Sequence, residues 1–332
     1  MVKLSEIIRK AAKEKPEEKK LIVAEAIKAK KELQTLPEIK KTYEDAILGI
    51  KQIMNDIRKG KTIEGRKVFN IAEKIIDALN INKNILLSLI NDFALHENEE
   101  DYLYQHSINA SILAARLGLA FGYGESELVD LCASTLLHDI GILKVPREII
   151  MKPSKLTKEE DDQIKKHPGY GVELLDQVKA PPKSASEVIY QHHERIDGSG
   201  YPEGKKGEEI SKYSKIVAMV EVYEALTHPR PYHRNIPCEG AKMIVQEANV
   251  SFEPELVKLF LNHITPYPPG SYVLLNNNEI GRILSINEGF PLRPVVEIIL
   301  DAEGNPPEKS KTVDLSKSAV LNIKRALEDS KI

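Results

Sequence analysis

One change of pattern constrains what this chain can fold into. Up to residue 266, apolar residues recur at helical spacing between short polar breaks, as at Ile47, Ile50 and Ile53. The segment PYPPG at 266–270 interrupts this pattern, and two runs rich in β-branched residues follow, SYVLLNNNEIGRILSI and RPVVEIIL. The sequence therefore predicts a mainly α protein, a helical bundle followed by a small antiparallel β module at about 270–315 and a short terminal helix.

Proline and glycine indicate where the helices end. Pro16 and Pro37 favour short N-terminal helices joined by turns, because proline lacks the amide hydrogen that a helix interior requires. Gly118 and Gly141 are expected to end two later helices, and Thr157 begins another with a capping box. The predicted helices cover 41–59, 64–79, 101–117, 125–140, 157–166, 184–194, 212–227, 239–248 and 254–263.

These elements predict three units. Residues 1–96 form an N-terminal helical region whose polar faces are best interpreted as solvated, with regulation, dimerisation or protein binding as alternatives. Residues 97–266 form the main helical unit, and residues 267–332 form the β module with its terminal helix.

Composition excludes several classes of protein. The chain has 332 residues with 47 Lys and Arg against 50 Asp and Glu, a balance that excludes a surface coating nucleic acid broadly, so no DNA partner is expected. Cys132 and Cys238 lie far apart and in no metal-ligand spacing, which argues against a disulfide scaffold and a cysteine zinc site. No signal-peptide pattern and no run of about 18 apolar residues is present, so we expect a cytoplasmic protein without a membrane span.

Histidine is concentrated in one part of the chain. Five of the nine histidines lie between 106 and 193, each on or at the end of a predicted helix. One precedes Asp139 directly and another precedes Glu194. Imidazole and carboxylate ligands suit Fe, Mn or Zn, and helices of one bundle can bring such ligands together. A single histidine is more often an ordinary core or surface residue, but five in this arrangement favour a metal site. They are His106, His138, His167, His192 and His193.

Three motifs carry a resemblance to a known family. They are LLHDIG at 136–141, HPGYG at 167–171 and HHERIDGSGYP at 192–202. Together they resemble the HD-GYP family, a branch of the HD phosphohydrolase superfamily, over roughly residues 97–266. The HD dipeptide alone is common, but its combination with HHE and DGxGYP is highly specific.

The resemblance implies a site with two divalent metals, Fe or Mn first and Zn as a further candidate. Asp139 would bridge the two metals, whereas Glu194 and Asp197 would orient ligands or the following loop. The implied metal ligands are His106, His138, Asp139, His167, His192, His193 and Glu221. The implied substrate-binding residues are Gly200, Tyr201, Pro202 and Arg230.

Three positions depart from the family's pattern. Ile142 stands where the family has a lysine that would contact a substrate phosphate, and Lys144 is the candidate to replace it in catalysis. Glu221 stands in place of an aspartate ligand, and Glu224 takes the second acidic position of the same helix. Tyr102 lies one turn before the first ligand histidine, where some members carry a glutamate that recruits a third metal, so two metals are favoured.

The resemblance implies a phosphodiesterase that hydrolyses cyclic di-GMP to pGpG, to GMP or to both, through attack by a metal-bound hydroxide. The alternative is a catalytically weak or inactive module that binds metal, nucleotide or a protein partner, which Ile142 and Glu221 favour. A third interpretation, hydrolysis of another nucleotide, is disfavoured by the GYP loop. Protein partners are expected at that loop or at the N-terminal helices, and a homodimer is a further expectation.

Overall fold

The computed structural model describes residues 16–90, 101–152, 154–227, 243–264, 267, 271–287, 290–307 and 311–327. The helices are α1 (Pro16–Arg58), α2 (Arg66–Ile90), α3 (Tyr102–Phe121), α4 (Glu125–Leu136), α5 (Arg147–Ile150), α6 (Lys158–Ile164), α7 (His167–Leu175), α8 (Ala185–Gln191), α9 (Lys212–Thr227) and α10 (Pro254–His263). The strands are β1 (Ile63–Glu64), β2 (Val178–Lys179), β3 (Tyr272–Leu275), β4 (Ile280–Asn287), β5 (Phe290–Leu300), β6 (Lys311–Asp314) and β7 (Ile323–Leu327). Among the residues so described, none of the helices has both the length and the apolarity to cross a membrane.

The N-terminal helix corrects the prediction of short helices joined by turns. α1 continues through Pro37 as one helix. An internal proline costs about 3 kcal/mol because it removes a backbone hydrogen bond and crowds the preceding turn. Pro37 lies on the exposed side of α1, while Ile39, Tyr43 and Ile50 on the other side are buried. Their burial offsets the cost of the proline, so tertiary packing decides the length of the helix.

Neither of the two glycines predicted to end helices has that position. α3 continues past Gly118 and ends at Gly122, which has a φ of 83°. Gly118 instead lets α3 approach α4, because a Cβ there would lie 2.8 Å from the Leu128 side chain. After α4 the chain enters a 3₁₀ helix at Ile140–Lys144, so Gly141 lies inside this turn rather than after a helix.

Other predictions of helices are confirmed. The capping box of α6 is present, since Thr157 N donates to Glu160 Oε2 at 2.7 Å and Glu160 N donates to Thr157 Oγ1 at 3.3 Å. α9 has the predicted bounds. Residues 243–246 are helical, and the beginning of the helix predicted at 239–248 lies outside the described residues.

The helices share one apolar core. Ile50 of α1, Ile75 of α2, Ile112 of α3, Val217 of α9 and Phe260 of α10 belong to a single continuous cluster of buried side chains. The N-terminal helices therefore support the same body of the protein that carries the histidines.

The C-terminal sheet confirms the β module and corrects its last element. Five antiparallel strands lie in the order β6-β5-β4-β3-β7 around a separate small core. The predicted terminal helix is wrong, because Ile323–Leu327 forms β7 and pairs with β3. Lys324, Arg325 and Ala326 are good helix formers. Pairing with β3 satisfies the backbone groups on the facing edges of the two strands and buries Ile323, and this long-range pairing overrides local propensity.

Candidate metal centre

The predicted imidazole ligands and Asp139 converge from four helices. They are His106 in α3, His138 and Asp139 directly after α4, His167 at the start of α7, and His192 and His193 directly after α8. Their potential ligand atoms form two groups: His106, His138 and Asp139 in one, and Asp139, His167, His192 and His193 in the other. Within each group, these atoms lie within 4.8 Å of one another.

Asp139 lies between two pairs of imidazoles. Its Oδ1 atom is 3.3 Å from His167 Nε2 and 3.5 Å from His192 Nε2. Its Oδ2 atom is 3.5 Å from His138 Nε2 and 3.6 Å from His106 Nε2. Each carboxylate oxygen therefore faces one pair, so Asp139 could contribute one oxygen to each of two metal ions.

The backbone turns the ring nitrogens toward the centre. In three of the histidines, Nδ1 hydrogen-bonds to a carbonyl oxygen three residues earlier: His138 to Thr135 at 2.7 Å, His167 to Ile164 at 2.7 Å and His192 to Ile189 at 2.9 Å. A carbonyl only accepts, so Nδ1 carries the hydrogen and, in a neutral ring, Nε2 carries a lone pair.

The lone pairs provide a test of whether metals fit. The Nε2 atoms of His167 and His192 lie 3.1 Å apart, and those of His106 and His138 lie 3.2 Å apart. Two neutral imidazoles that face each other through acceptor nitrogens repel, whereas a divalent cation bound by both removes the repulsion. The residues present therefore fit a pair of divalent metals.

His106 is oriented by a carboxylate rather than by a carbonyl. Its Nδ1 atom makes a short hydrogen bond to Glu224 Oε2. The other oxygen of Glu224 accepts from Asn109 Nδ2 at 3.0 Å. A carboxylate behind a ligating histidine is common in metal sites, because it fixes the ring and raises the basicity of the ligand nitrogen. Glu224 was predicted only as an acidic position of α9, and Asn109 was missed because nothing in its local sequence indicates a contact.

His193, Glu221 and Tyr201 form a more exposed edge of the centre. Glu221 Oε2 lies 3.8 Å from His193 Nδ1, and this buried oxygen has no hydrogen-bond partner in the described part of the chain. A buried carboxylate oxygen without a donor is costly, and a metal ion would satisfy it. The Tyr201 ring stacks on His193, with 4.5 Å between ring centroids.

Burial and mutual contacts set the protonation of the cluster. Desolvation lowers the pKa of His138 and His192 and holds the pKa of His193 well below its usual value. Burial alone would raise the pKa of Asp139, but the charge of His138 and hydrogen bonds from His167 and His192 hold it well below its usual value. Burial therefore favours the neutral form of His138, His192 and His193, and Asp139 is an ionised carboxylate, which are the forms that bind metal. His167 differs, because its contacts with Asp139 outweigh its burial and raise its pKa.

Close backbone contacts fix the loop that carries the GYP motif. A Cβ at Gly200 would lie 2.5 Å from the His193 carbonyl oxygen, so only glycine fits there. The Tyr201 amide donates to the same oxygen at 3.2 Å. Glu194 is buried and accepts from the Glu203 amide at 2.8 Å, so it secures this loop.

Three predicted site residues remain, of which the structure describes two. Lys144 is turned toward Glu173, with 2.5 Å between Nζ and Oε2, and is not among the two groups of ligand atoms. Pro202 is exposed and follows Tyr201 through a cis peptide bond. Arg230 lies outside the described residues.

A cleft of about 350 Å³ has a lining that includes residues close in sequence to two of the implied metal ligands. Tyr102 and Ile142 line it, the first one turn before His106 and the second three residues after Asp139. Its lining also includes two exposed arginines, Arg58 of α1 and Arg147 of α5. Arginine suits phosphate and the edges of bases, and the cleft has the size of a small-molecule site.

Two known families match separate parts of the chain. The HD domain family matches residues 93–256, and the family described as a KOW domain associated with HD domain matches residues 272–332. The first match includes all seven residues implied as metal ligands, and the second covers the C-terminal sheet.

Several curated relatives are named as phosphodiesterases of cyclic dinucleotides. The chain is 30% identical to the cyclic di-GMP phosphodiesterase PA4108 of Pseudomonas aeruginosa, over 80% of this chain and 63% of that protein. It is 32% identical to the cyclic di-GMP phosphodiesterase PdeB of Borreliella burgdorferi, over 63% of this chain and 55% of that protein. The 3′3′-cGAMP-specific phosphodiesterase 2 of Vibrio cholerae is 31% identical over 57% of this chain and 36% of its own length. The chain thus spans less than two thirds of each of these relatives.

A solved structure shares the fold. It is Bd1817, an HDG"Y"P protein from Bdellovibrio bacteriovorus, with a TM-score of 0.55 over 74% of this chain and 78% of that one. The two are 16% identical, so the similarity concerns the fold alone.

Proposed function

This chain belongs to the HD-GYP family of HD domain proteins, and we propose on that premise that it hydrolyses cyclic di-GMP in a metal-dependent reaction. The products are pGpG, GMP or both. The observation that carries the proposal is the position of Asp139 between two pairs of imidazoles whose Nε2 atoms face each other. The names of the curated relatives support the class of substrate.

The residues that would hold the metals are divided between two sites. His106, His138 and Asp139 would hold one ion, and Asp139, His167, His192 and His193 would hold the other, with Glu221 beside His193. Fe or Mn is the proposed metal, with Zn as a further candidate, because imidazole and carboxylate suit all three. When bound, a pair of such ions supplies positive charge that neutralises a phosphodiester and makes water a stronger nucleophile.

The chain's own groups prepare this centre. Asp139 stays ionised because its neighbours hold its pKa well below the usual value. The Nδ1 contacts with Thr135 and Ile164 hold His138 and His167 in fixed orientations before any ligand binds, so the centre needs little reorganisation. Tyr201 covers one face of the His193 ring and shields it from water.

The cleft at Tyr102 and Ile142 is the proposed place for part of the dinucleotide. Ile142 offers an apolar wall, and Arg58 and Arg147 offer guanidinium groups to a phosphate or a base. The absence of a lysine at position 142 is then compatible with substrate binding, because Arg58 and Arg147 supply positive charge from other helices.

Hydrolysis of cyclic di-GMP by the full chain tests the proposal. The protein is loaded with Fe²⁺ or Mn²⁺ at low oxygen, and pGpG and GMP are separated by chromatography. We expect turnover, and we expect Asp139→Asn to reduce it by more than the 10–100-fold typical of losing a supporting residue. Asp162→Asn, at an exposed carboxylate, is the matched control and should retain wild-type rates.

A parallel assay with 3′3′-cGAMP tests the preferred dinucleotide, because one relative is named for it. Tight binding of cyclic di-GMP to the metal-loaded protein without turnover would contradict the proposal. That result would favour the alternative of a binding module, for which Ile142 and Glu221 are the motivating residues.

A further inference from the structure

A chain of buried hydrogen bonds connects the N-terminal helix to the metal centre. The Tyr43 hydroxyl of α1 donates to Asn109 Oδ1 at 2.8 Å, and Asn109 Nδ2 donates to Glu224 Oε1 at 3.0 Å. The other Glu224 oxygen is hydrogen-bonded to His106 Nδ1. None of these four residues is more than 4% exposed, so water does not compete for their polar groups.

The order of donors and acceptors makes this chain directional. A side-chain amide presents an acceptor at one end and donors at the other. Tyr43 donates to the oxygen of Asn109, and the amide nitrogen donates to the Glu224 carboxylate, so the two contacts hold the amide at both ends in one orientation. Without the hydroxyl, the amide keeps its contact with the carboxylate, but its buried oxygen loses the donor that holds the other end of the side chain. Asn109, and Glu224 with it, is then held less firmly. In a buried network such a loss is costly, since no solvent replaces it.

The last contact acts on a metal ligand. A carboxylate behind a histidine fixes its ring and raises the basicity of its other nitrogen. Glu224 does this for His106, Asn109 holds Glu224, and Tyr43 holds Asn109. The ligand pair His167 and His192 is instead oriented by carbonyl oxygens, so it does not depend on this chain of contacts.

We infer that Tyr43 is a positioning residue for His106, which makes α1 a functional part of the metal centre. Tyr43 lies outside residues 93–256, the part that matches the HD domain family. A displacement of α1 that breaks the bond between Tyr43 and Asn109 weakens metal binding at the His106–His138 group and spares the other group. This gives the N-terminal region a physical means to regulate the centre. The inference rests on one part of the proposed function, the binding of two metal ions, and does not require hydrolysis of a substrate.

Metal titration of the full chain tests the inference without substrate. Co²⁺ binding is followed by its ligand-field absorption against a competing chelator, in the wild type and in Tyr43→Phe. We expect two binding steps in the wild type, and we expect Tyr43→Phe to weaken one of them about tenfold, at the lower end of the range for supporting residues. The second step should be unchanged. Tyr213→Phe is the matched control, because it also loses a hydroxyl that donates to another residue, here the Glu127 carbonyl oxygen at 2.9 Å.

A double-mutant cycle separates positioning from a general loss of stability. Asn109→Ala should weaken the same binding step, and adding Tyr43→Phe to it should have no further effect, because the two residues act in one chain. The inference would be overturned by additive effects in the double variant, or by an unchanged isotherm or equal weakening of both steps in Tyr43→Phe. It would also be overturned by the same change in Tyr213→Phe, or by fewer than two binding steps in the wild type. If Tyr43→Phe does not fold, an unchanged isotherm for Asn109→Ala overturns it. Failure of the wild type to hydrolyse cyclic di-GMP would reject the proposed function and leave this result standing.

Discussion

A methyl group on Gly141 would lie 1.8 Å from the carbonyl oxygen of His167. The backbone of the 3₁₀ helix after Asp139 therefore touches the start of α7 directly. Asp139 lies two residues before Gly141, and His167 itself provides the carbonyl oxygen of this contact. The close backbone approach therefore brings the two side chains together, with Asp139 Oδ1 3.3 Å from His167 Nε2. The glycine of the HDIG motif thus lets the two halves of the candidate centre meet.

Replacing this glycine should damage the fold and the centre together. In Gly141→Ala, the added methyl meets backbone atoms rather than a flexible side chain, so we expect a loss of at least about 1–3 kcal/mol in the free energy of unfolding. Metal binding should weaken as well. Gly169→Ala in α7 is the matched control, because a Cβ there has no atom within 4 Å. Denaturant unfolding of both variants checks this, and equal stabilities would contradict the contact.

Neutralising Glu224 should weaken the site at His106. Glu224→Gln keeps the shape of the side chain but removes the negative charge behind the imidazole. We expect metal affinity or turnover to fall about 10–100-fold. Glu173→Gln changes an exposed carboxylate and serves as the control. Chelator competition and steady-state kinetics are the measurements, and wild-type values in Glu224→Gln would show that the carboxylate does not support the ligand.

Lys144 should be dispensable for catalysis. Its ammonium group pairs with Glu173 in a partly exposed ion pair, and such pairs contribute at most about 1 kcal/mol to stability. Lys144→Ala should therefore retain kcat/KM close to the wild type, against the role that its sequence position suggests. A large loss of kcat with unchanged KM would return Lys144 to the catalytic residues.

The stability of the metal-free protein should fall as the pH is lowered from 7.5 to 5.5. Desolvation lowers the pKa of His138, His192 and His193 in the folded state. The unfolded chain then binds more protons below the ordinary histidine pKa of about 6.5, so acid favours unfolding. His167 opposes this trend, because its contact with Asp139 outweighs its burial and raises its pKa.

Thermal unfolding at several pH values measures this effect. His193→Asn cannot titrate at that position, so its Tm should fall less between pH 7.5 and 5.5. A Tm that is flat over this range in the wild type would contradict the pKa directions in the cluster.

Much of the candidate centre could be predicted because most of its ligand residues lie in short sequence motifs. His138 and Asp139 are adjacent, as are His192 and His193, and the helices that carry them have clear apolar periodicity. α9 could be placed to the residue, since its apolar run is long and lies between polar breaks.

The remaining features depend on contacts between distant residues. Asn109 and Glu224 are separated by 115 positions, and Tyr43 and Asn109 by 66, so no local pattern links them. β7 forms because β3 is available as a partner, although its own residues favour a helix. Pro37 stays inside α1 because burial of its neighbours offsets the lost hydrogen bond.

The most direct test of the account is the location of the metals. Crystals of the full chain loaded with Mn²⁺ or Fe²⁺ can be measured at the absorption edge of the metal, so that anomalous scattering reveals each ion. We predict two peaks flanking the Asp139 carboxylate, one beside His106 and His138 and the other beside His167, His192 and His193. A single peak, or peaks that do not touch Asp139, would contradict this prediction.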